Sequence, residues 1–323
     1  LTKIMPSDNE KPLIGEFGLI DWIRRQAQSA GPWTDLGIGD DCAILGIRDR
    51  TELLVTTDML MDGRHFRLED AGAEAVGYKA MGVNLSDIAA MAGIPRAAVV
   101  SVALPRDRAA EIARGLYAGM RRLADRYQVD LVGGDTNAWD GPLVINITLL
   151  GEASPRGAVR RSGAVAGDAI FVTGPLGGSL ASGRHLRPNP RIDEALALHQ
   201  FCDLHAMIDL SDGLASDLSH ILEESGGLGA ILNSSAVPIH EDALGTSDGR
   251  NSLEHALADG EDFELCLTVS ERDAPRLERS PPPGTRLYRI GEITGEKGIW
   301  LRGSDGKLSA ISARGFDHLL ASP

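Results

Sequence analysis

Residues 151–168 read GEASPRGAVRRSGAVAGD, a Gly-, Pro-, Ser- and Arg-rich stretch between two apolar runs, Leu143–Leu150 and Ala169–Thr173. The runs read as strands and the stretch between them as a domain boundary. Upstream, Leu53–Asp58, Ala97–Leu104 and Val129–Val132 are further short strands. Ala73–Ala92 carries Val76, Ala80, Met81, Leu85, Ile88 and Met91 at helical spacing, and Asp107 is a plausible N-cap for a helix displaying Ile112, Leu116, Met120, Leu123 and Tyr127. Downstream, a Gly-rich loop over Gly174–Gly183 precedes strands at Ala206–Asp209, Phe263–Val269, Leu287–Ile293 and Ile299–Leu301, with a helix over Gly213–Ser225. This order predicts an α/β protein with mixed sheets and two domains, 15–151 and 152–323, after a loose polar segment 1–14.

The length of 323 residues suits two domains. With 46 acidic against 32 basic side chains the formal charge is -14, which disfavours general nucleic-acid binding. No run approaches the ~18 apolar residues of a membrane span. Glycine is abundant, at 38 residues. Cys42, Cys202 and Cys266 are widely spaced, without a CxxC pair, and read as small buried hydrophobes in a reducing, cytoplasmic setting.

The acids are concentrated where carboxylates are costly. Asp40 and Asp41 lie in GIGDDCAI, Asp58 ends LLVTTD, Asp135 ends QVDLVGGDT, and Asp209 and Asp212 lie in AMIDLSDG. Asp87 sits between Leu85 and Ile88 on an apolar helix, one turn after Asn84. Magnesium takes hard oxygen ligands, often one or two carboxylates completed by water and phosphate, and acids from separate segments can converge on it. Plainer roles remain open for each alone: a helix cap for Ser211 or Asp212, a turn for Asp40 and Asp41, a strand terminator for Asp58 and Asp135, solvent exposure for Asp87.

The glycines at 174, 177, 178 and 183 can present backbone N–H groups to a phosphate, with Arg161 as a charged clamp. The loop fits neither GxGxxG nor the P-loop pattern, and the protein-kinase signatures are absent. His65, in DMLMDGRHF, is a candidate substrate contact or a structural histidine, and GEDFEL (260–265) is a candidate site segment or a charged turn.

Taken together, GEFGLI, GIGDDCA, TTDMLMDGRHF, YKAMGVNLSDIAAMAG, LVGGDT, RSGAVAGD, IDLSDGLASDL, ADGEDFEL and GFDHL, in that order from about Gly15 to Leu319, resemble the thiamine-monophosphate kinase family. That family belongs to the aminoimidazole-ribonucleotide synthetase-like ATP enzymes. The resemblance implies a two-domain fold of that type, a homodimer formed through the amino-terminal sheet, and transfer of the ATP γ-phosphoryl group to thiamine monophosphate with several Mg²⁺ ions. It implies metal ligands at Asp41, Thr56, Thr57, Asp58, Asp87, Asp135, Asp209 and Asp212. ATP contacts fall at Tyr117, Gly134, Asp135, Arg161 and Ser211, and thiamine phosphate contacts at His65, Glu261 and Phe316. The family has a longer helical stretch where Gly183 here meets Arg184 and His185 at once, and often has Tyr or Trp at Phe316.

An anionic phosphate acceptor needs no strong general base. Repulsion between the two phosphates is the obstacle, and metal ions reduce it. Direct in-line transfer is therefore expected. The alternatives are another ATP enzyme of the superfamily, of the selenophosphate, hydrogenase-maturation or purine-synthesis type, and a nucleotide- or Mg²⁺-binding protein without catalysis. A hydrogenase-maturation protein is expected to end in a cysteine, whereas this sequence ends HLLASP; a selenophosphate enzyme is expected to carry a Cys or Sec near its start.

Overall fold

A computed structural model describes residues 52–246 and 248–311, together with Trp22 and two short strands. Those strands, β1 (Thr34–Leu36) and β2 (Ile44–Leu45), pair antiparallel. Asp40, Asp41, Cys42 and Phe316, with the GEFGLI and GFDHL motifs, lie outside the described residues. Then come β3 (Leu53–Met61), the Ala73–Ala90 helix, β4 (Gly93–Pro105), the Ala109–Tyr127 helix, β5 (Asp130–Trp139) and β6 (Val144–Ala153). The remaining strands are β7 (Ala169–Val172), β8 (Leu204–Asp209), β9 (Gly229–Asn233), β10 (Leu265–Val269), β11 (Tyr288–Thr294), β12 (Gly298–Arg302) and β13 (Leu308–Ile311). Helices Ile192–Phe201, Leu214–Glu224 and Ser252–Ala258 are interleaved among them.

The described chain forms two compact units. Residues 57–81 and 96–150 fall in the first; 52–56, 82–95 and 151–311 fall in the second. One sheet has strand order β3-β6-β4-β5 and another β13-β12-β9-β11-β7-β10-β8. Strand β4 runs parallel to β5, and β9 parallel to β12, while β10 is antiparallel to both β7 and β8. The fold is therefore α/β with mixed sheets.

In the first unit, β6 alternates cleanly, burying Ile145, Ile147 and Leu149. The Ala109–Tyr127 helix turns Ile112, Leu116, Met120 and Leu123 inward, as its spacing predicts. A Cβ at Gly119 would lie 1.9 Å from the Glu74 carbonyl oxygen, so glycine is what lets the two long helices touch backbone to backbone. The second unit's core joins Ile170, Val172, Ile208, Leu232 and Cys266 of the sheet to Leu214, Leu218, Ile221 and Leu222 of the Leu214–Glu224 helix. Each fully buried aliphatic chain contributes about 1.5–3 kcal/mol.

Two strand ends differ from expectation. Strand β3 continues past Asp58 to Met61, and β5 runs through GGDT to Trp139, so Asp58 and Asp135 are mid-strand rather than terminal. The glycines at 133 and 134 do not end β5, because Val99 and Val100 of β4 pair directly with them. A Cβ at Gly134 would sit 2.0 Å from the Val100 carbonyl oxygen. Asp107 is not an N-cap either: it lies in a 3-10 turn, Arg106–Arg108, and the helix begins at Ala109.

Candidate active site

Strand β8 delivers Asp209. Its burial pattern is unbroken from Ala206 onward, so the chain enters the site as a rigid apolar strand and ends on a carboxylate only 3% exposed. The last turns of the Ala73–Ala90 helix, in the same unit, bring Ser86 and Asp87 to it. Ser86 Oγ donates to Asp209 Oδ2 at 2.7 Å, and Thr56 Oγ1, from β3, donates to Asp87 Oδ2. Burial first, and then the negative charge of Asp87, pushes the Asp209 carboxyl up to about 7; the Ser86 hydrogen bond and the positive charge of Arg161 work against that rise.

Beyond Asp209 the chain turns through Ser211, Asp212 and Gly213 into the Leu214–Glu224 helix. Asp217, 2% exposed, folds back to accept hydrogen bonds from the backbone N–H groups of Asp212 and Gly213, both at 3.1 Å. Burial, followed by repulsion from Asp209 and Asp212, pushes Asp217 up to about 8. Arg160, Arg161, Thr56, Asp87 and Met207 line a cavity of about 410 Å³. In the second unit the structure thus gathers Thr56, Asp87, Asp209, Asp212 and Arg161 of the residues singled out in the sequence.

The others are distributed differently. The Thr57 hydroxyl lies against Thr148 (3.0 Å) and Asn146 (3.1 Å) of β6, on the face of β3 opposite to Thr56, while Asp58 returns to the Thr56 face by strand alternation. Gly134 and Asp135 are exposed on β5, and Asn137 Nδ2 donates to Asp135 at 3.3 Å. His65 Nδ1 accepts from the Met61 N–H at 3.0 Å, which leaves the ring proton of the neutral imidazole on Nε2. The His65 carbonyl accepts from the fully buried Lys79 at 2.7 Å. The Tyr117 hydroxyl is buried with no hydrogen-bond partner among the described residues, and burial raises its pKa.

GEDFEL is not a solvated turn: Asp262 and Glu264 are 8% and 5% exposed. Glu264 takes hydrogen bonds from Thr173 Oγ1 (2.6 Å) and Arg191 Nε (2.9 Å), and Arg191 Nη2 also reaches it. The Gly-rich loop departs from the expected phosphate cradle, because its two central glycine donors are already used. Gly177 N–H donates to Asp262 at 2.8 Å and Gly178 N–H to Asp259 at 2.9 Å. The loop closes with one helical turn, Ser179–Ser182, and is followed by a 3-10 turn, Arg184–Leu186.

Among the described residues no group of three or more His, Cys, Asp or Glu side chains gathers as a metal site. The donors nevertheless suit Mg²⁺. Asp87 and Asp209 offer hard oxygens, and the upward displacement of Asp209 marks a place where a cation would relieve repulsion. Ser86, Asp217 and Arg191 carry no individual role in the sequence reading, and Asp262 and Glu264 enter it only as part of GEDFEL. Asp217 lies within the IDLSDGLASDL motif and Ser86 within YKAMGVNLSDIAAMAG, but nothing local marks Ser86 as a partner of Asp209. Cys202 and Cys266 are free and buried; burial pushes the Cys202 thiol up to about 11 and raises that of Cys266 further.

Two family models match in succession: AIR synthase related protein, N-terminal domain, over residues 39–153, and the corresponding C-terminal domain over 165–303. The two matches and the mixed α/β fold place the chain in the AIR synthase related class. The chain is 43% identical over 296 residues to the thiamine-monophosphate kinase of Rhodopirellula baltica, covering 89% of this chain and 92% of that one. The crystal structure of thiamine-monophosphate kinase from Stenotrophomonas maltophilia K279a matches with a TM-score of 0.79 at 33% identity, over 92% of this chain and 98% of its own. A structure of AaThiL complexed with AMPPCP and TMP matches at 0.73 and 33%, over 94% and 97%. The chain belongs to the thiamine-monophosphate kinase family and is a kinase. The rival superfamily types and the non-catalytic reading give way to it.

Proposed function

We propose that this protein transfers the γ-phosphoryl group of ATP to thiamine monophosphate in one in-line step, giving thiamine diphosphate and ADP. The observation that carries this reading is the buried Asp209 carboxyl with the half-buried Asp87 and the positive charge of Arg161 acting on it: hard carboxylate oxygens next to a guanidinium. A phosphate oxygen of thiamine monophosphate forms the new P–O bond while the bond from γ-phosphorus to the β–γ bridging oxygen breaks, and ADP carries that electron pair away. The acceptor is anionic at neutral pH, so no side chain needs to remove a proton.

Asp41, Thr56, Thr57, Asp58, Asp87, Asp135, Asp209 and Asp212 would hold Mg²⁺, which when bound supplies positive charge to the facing phosphates. Arg161, Tyr117, Gly134, Asp135 and Ser211 would bind the nucleotide; His65, Glu261 and Phe316 would orient the thiamine phosphate. The proposal gives dimer contacts and the larger share of metal and ATP contacts to residues 15–151, with His65, and gives the Gly-rich loop and the other substrate contacts to residues 152–323, which also supply Arg161, Asp209, Ser211 and Asp212. Homodimerisation is supported by the apolar outer face of β3, where Leu53, Val55, Met59 and Met61 are exposed. Operation in the cytoplasm is supported by the free thiols of Cys202 and Cys266. No helix among the described residues is long and apolar enough to cross a membrane.

Asp58→Asn and Asp135→Asn test the metal roles: each is expected to lose about a hundredfold or more in turnover with an unchanged thermal midpoint. Wild-type turnover in both at saturating Mg²⁺ refutes those roles. Isolation of a phosphoprotein that passes its phosphate to thiamine monophosphate overturns the one-step transfer.

A further inference from the structure

Glu261 and Phe263 both hold left-handed backbone conformations, with φ of 61° and 53°. A non-glycine residue there is strained, and the conformation persists only where surrounding contacts over-determine it. Here they do. Glu261 N–H donates to the Ser211 carbonyl at 2.7 Å, and Phe263 N–H to the Leu210 carbonyl at 2.8 Å. From the other side, Ser179 Oγ donates to the Glu261 carbonyl at 2.7 Å. The intervening Asp262 carboxylate is gripped by Gly177 N–H at 2.8 Å and by Arg184 Nη2 at 2.9 Å. Arg184 is itself fixed by Asp242 and by the Gly177 carbonyl, each at 2.9 Å. Ser179 is fully buried, so its hydroxyl has no solvent role to play.

We propose that the Gly-rich loop is a clamp rather than an anion cradle, and that Ser179 and Arg184 are positioning residues that set the Glu261 carboxylate for the thiamine phosphate. The inference rests on the reading of Glu261 as a substrate contact. It accounts for the loop's spent N–H donors: they hold the backbone on which Glu261 is mounted. It also accounts for Arg184 following Gly183 directly, because a one-turn helix places the guanidinium within reach of Asp262.

Steady-state kinetics of Ser179→Ala, Arg184→Gln, Glu261→Ala and the double variant Ser179→Ala/Glu261→Ala test this. Ser179→Ala and Arg184→Gln are each expected to raise KM for thiamine monophosphate about tenfold, with KM for ATP within about twofold. The double variant is expected to match Glu261→Ala alone, because both changes act through one group. A merely structural role would lower the active fraction without this split between the two KM values, and that result overturns the clamp. So do additive effects in the double variant. If Glu261→Ala itself leaves KM for thiamine monophosphate unchanged, the substrate-contact reading falls, and the clamp with it. If Glu261→Ala raises that KM and neither Ser179→Ala nor Arg184→Gln does, the clamp alone falls. Thermal midpoints identify a variant that does not fold, and Arg184→Gln, changing a partly exposed side chain, then carries the test.

Discussion

Ser86 Oγ reaches Asp209 Oδ2 at 2.7 Å across 123 positions of sequence, tying the end of a helix to the end of a buried strand. The hydroxyl favours the ionised carboxylate against burial and the charge of Asp87. Ser86→Ala is therefore expected to raise the Asp209 pKa further, so that more of it is protonated at pH 7. The Mg²⁺ concentration for half-maximal activity should rise about tenfold, equivalent to ~1.4 kcal/mol. Moving the assay to pH 9 should restore most of the loss. An unchanged Mg²⁺ dependence at pH 7 contradicts this role.

Asp217 predicts a pH-dependent stability. Its carboxyl is pushed up to about 8 by burial and by neighbouring carboxylates, well above an unfolded-state value of about 3.9. The folded state then binds the proton more tightly, so stability is fullest below about pH 4 and is lost progressively as pH rises to about 8. Asp217→Asn keeps an oxygen to accept from Asp212 and Gly213 and removes the titration. In EDTA, the midpoint of the variant relative to wild type should therefore climb between pH 5 and 8, by about 2–4 °C for each kcal/mol recovered. A constant difference across that range argues against the assignment.

Arg191 is the counter-charge for Glu264, with Thr173 completing the site. Arg191→Met leaves a buried carboxylate without its cation and is expected to cost about 3 kcal/mol in denaturant unfolding. Arg191→Met with Glu264→Gln should recover much of that loss. If the double variant is no more stable than the single one, the pair is not the source of the cost.

What could be read from sequence followed the range of the interaction. Asp209 is legible because an apolar strand announces its own end, whereas Thr56 enters only through the family resemblance. The two mid-strand acids were read as terminal because Asp58 and the glycines before Asp135 look like stops when the partner strand is unseen. Once β4 is in place, Gly134 is a requirement of close pairing. Ile192–Phe201, β9 and Ser252–Ala258 leave no clear pattern in the sequence: they are short, and the neighbours they pack on are distant. The Gly-rich loop misled for the same reason, since its N–H groups are answered by Asp259 and Asp262, more than 80 positions away.

The measurement that bears most directly on the account is ADP release with thiamine diphosphate formation in the same reaction, with and without thiamine monophosphate and Mg²⁺. The account predicts equal amounts of the two products, formed only when ATP, Mg²⁺ and thiamine monophosphate are all present. ADP release indifferent to thiamine monophosphate, or without thiamine diphosphate, would contradict it.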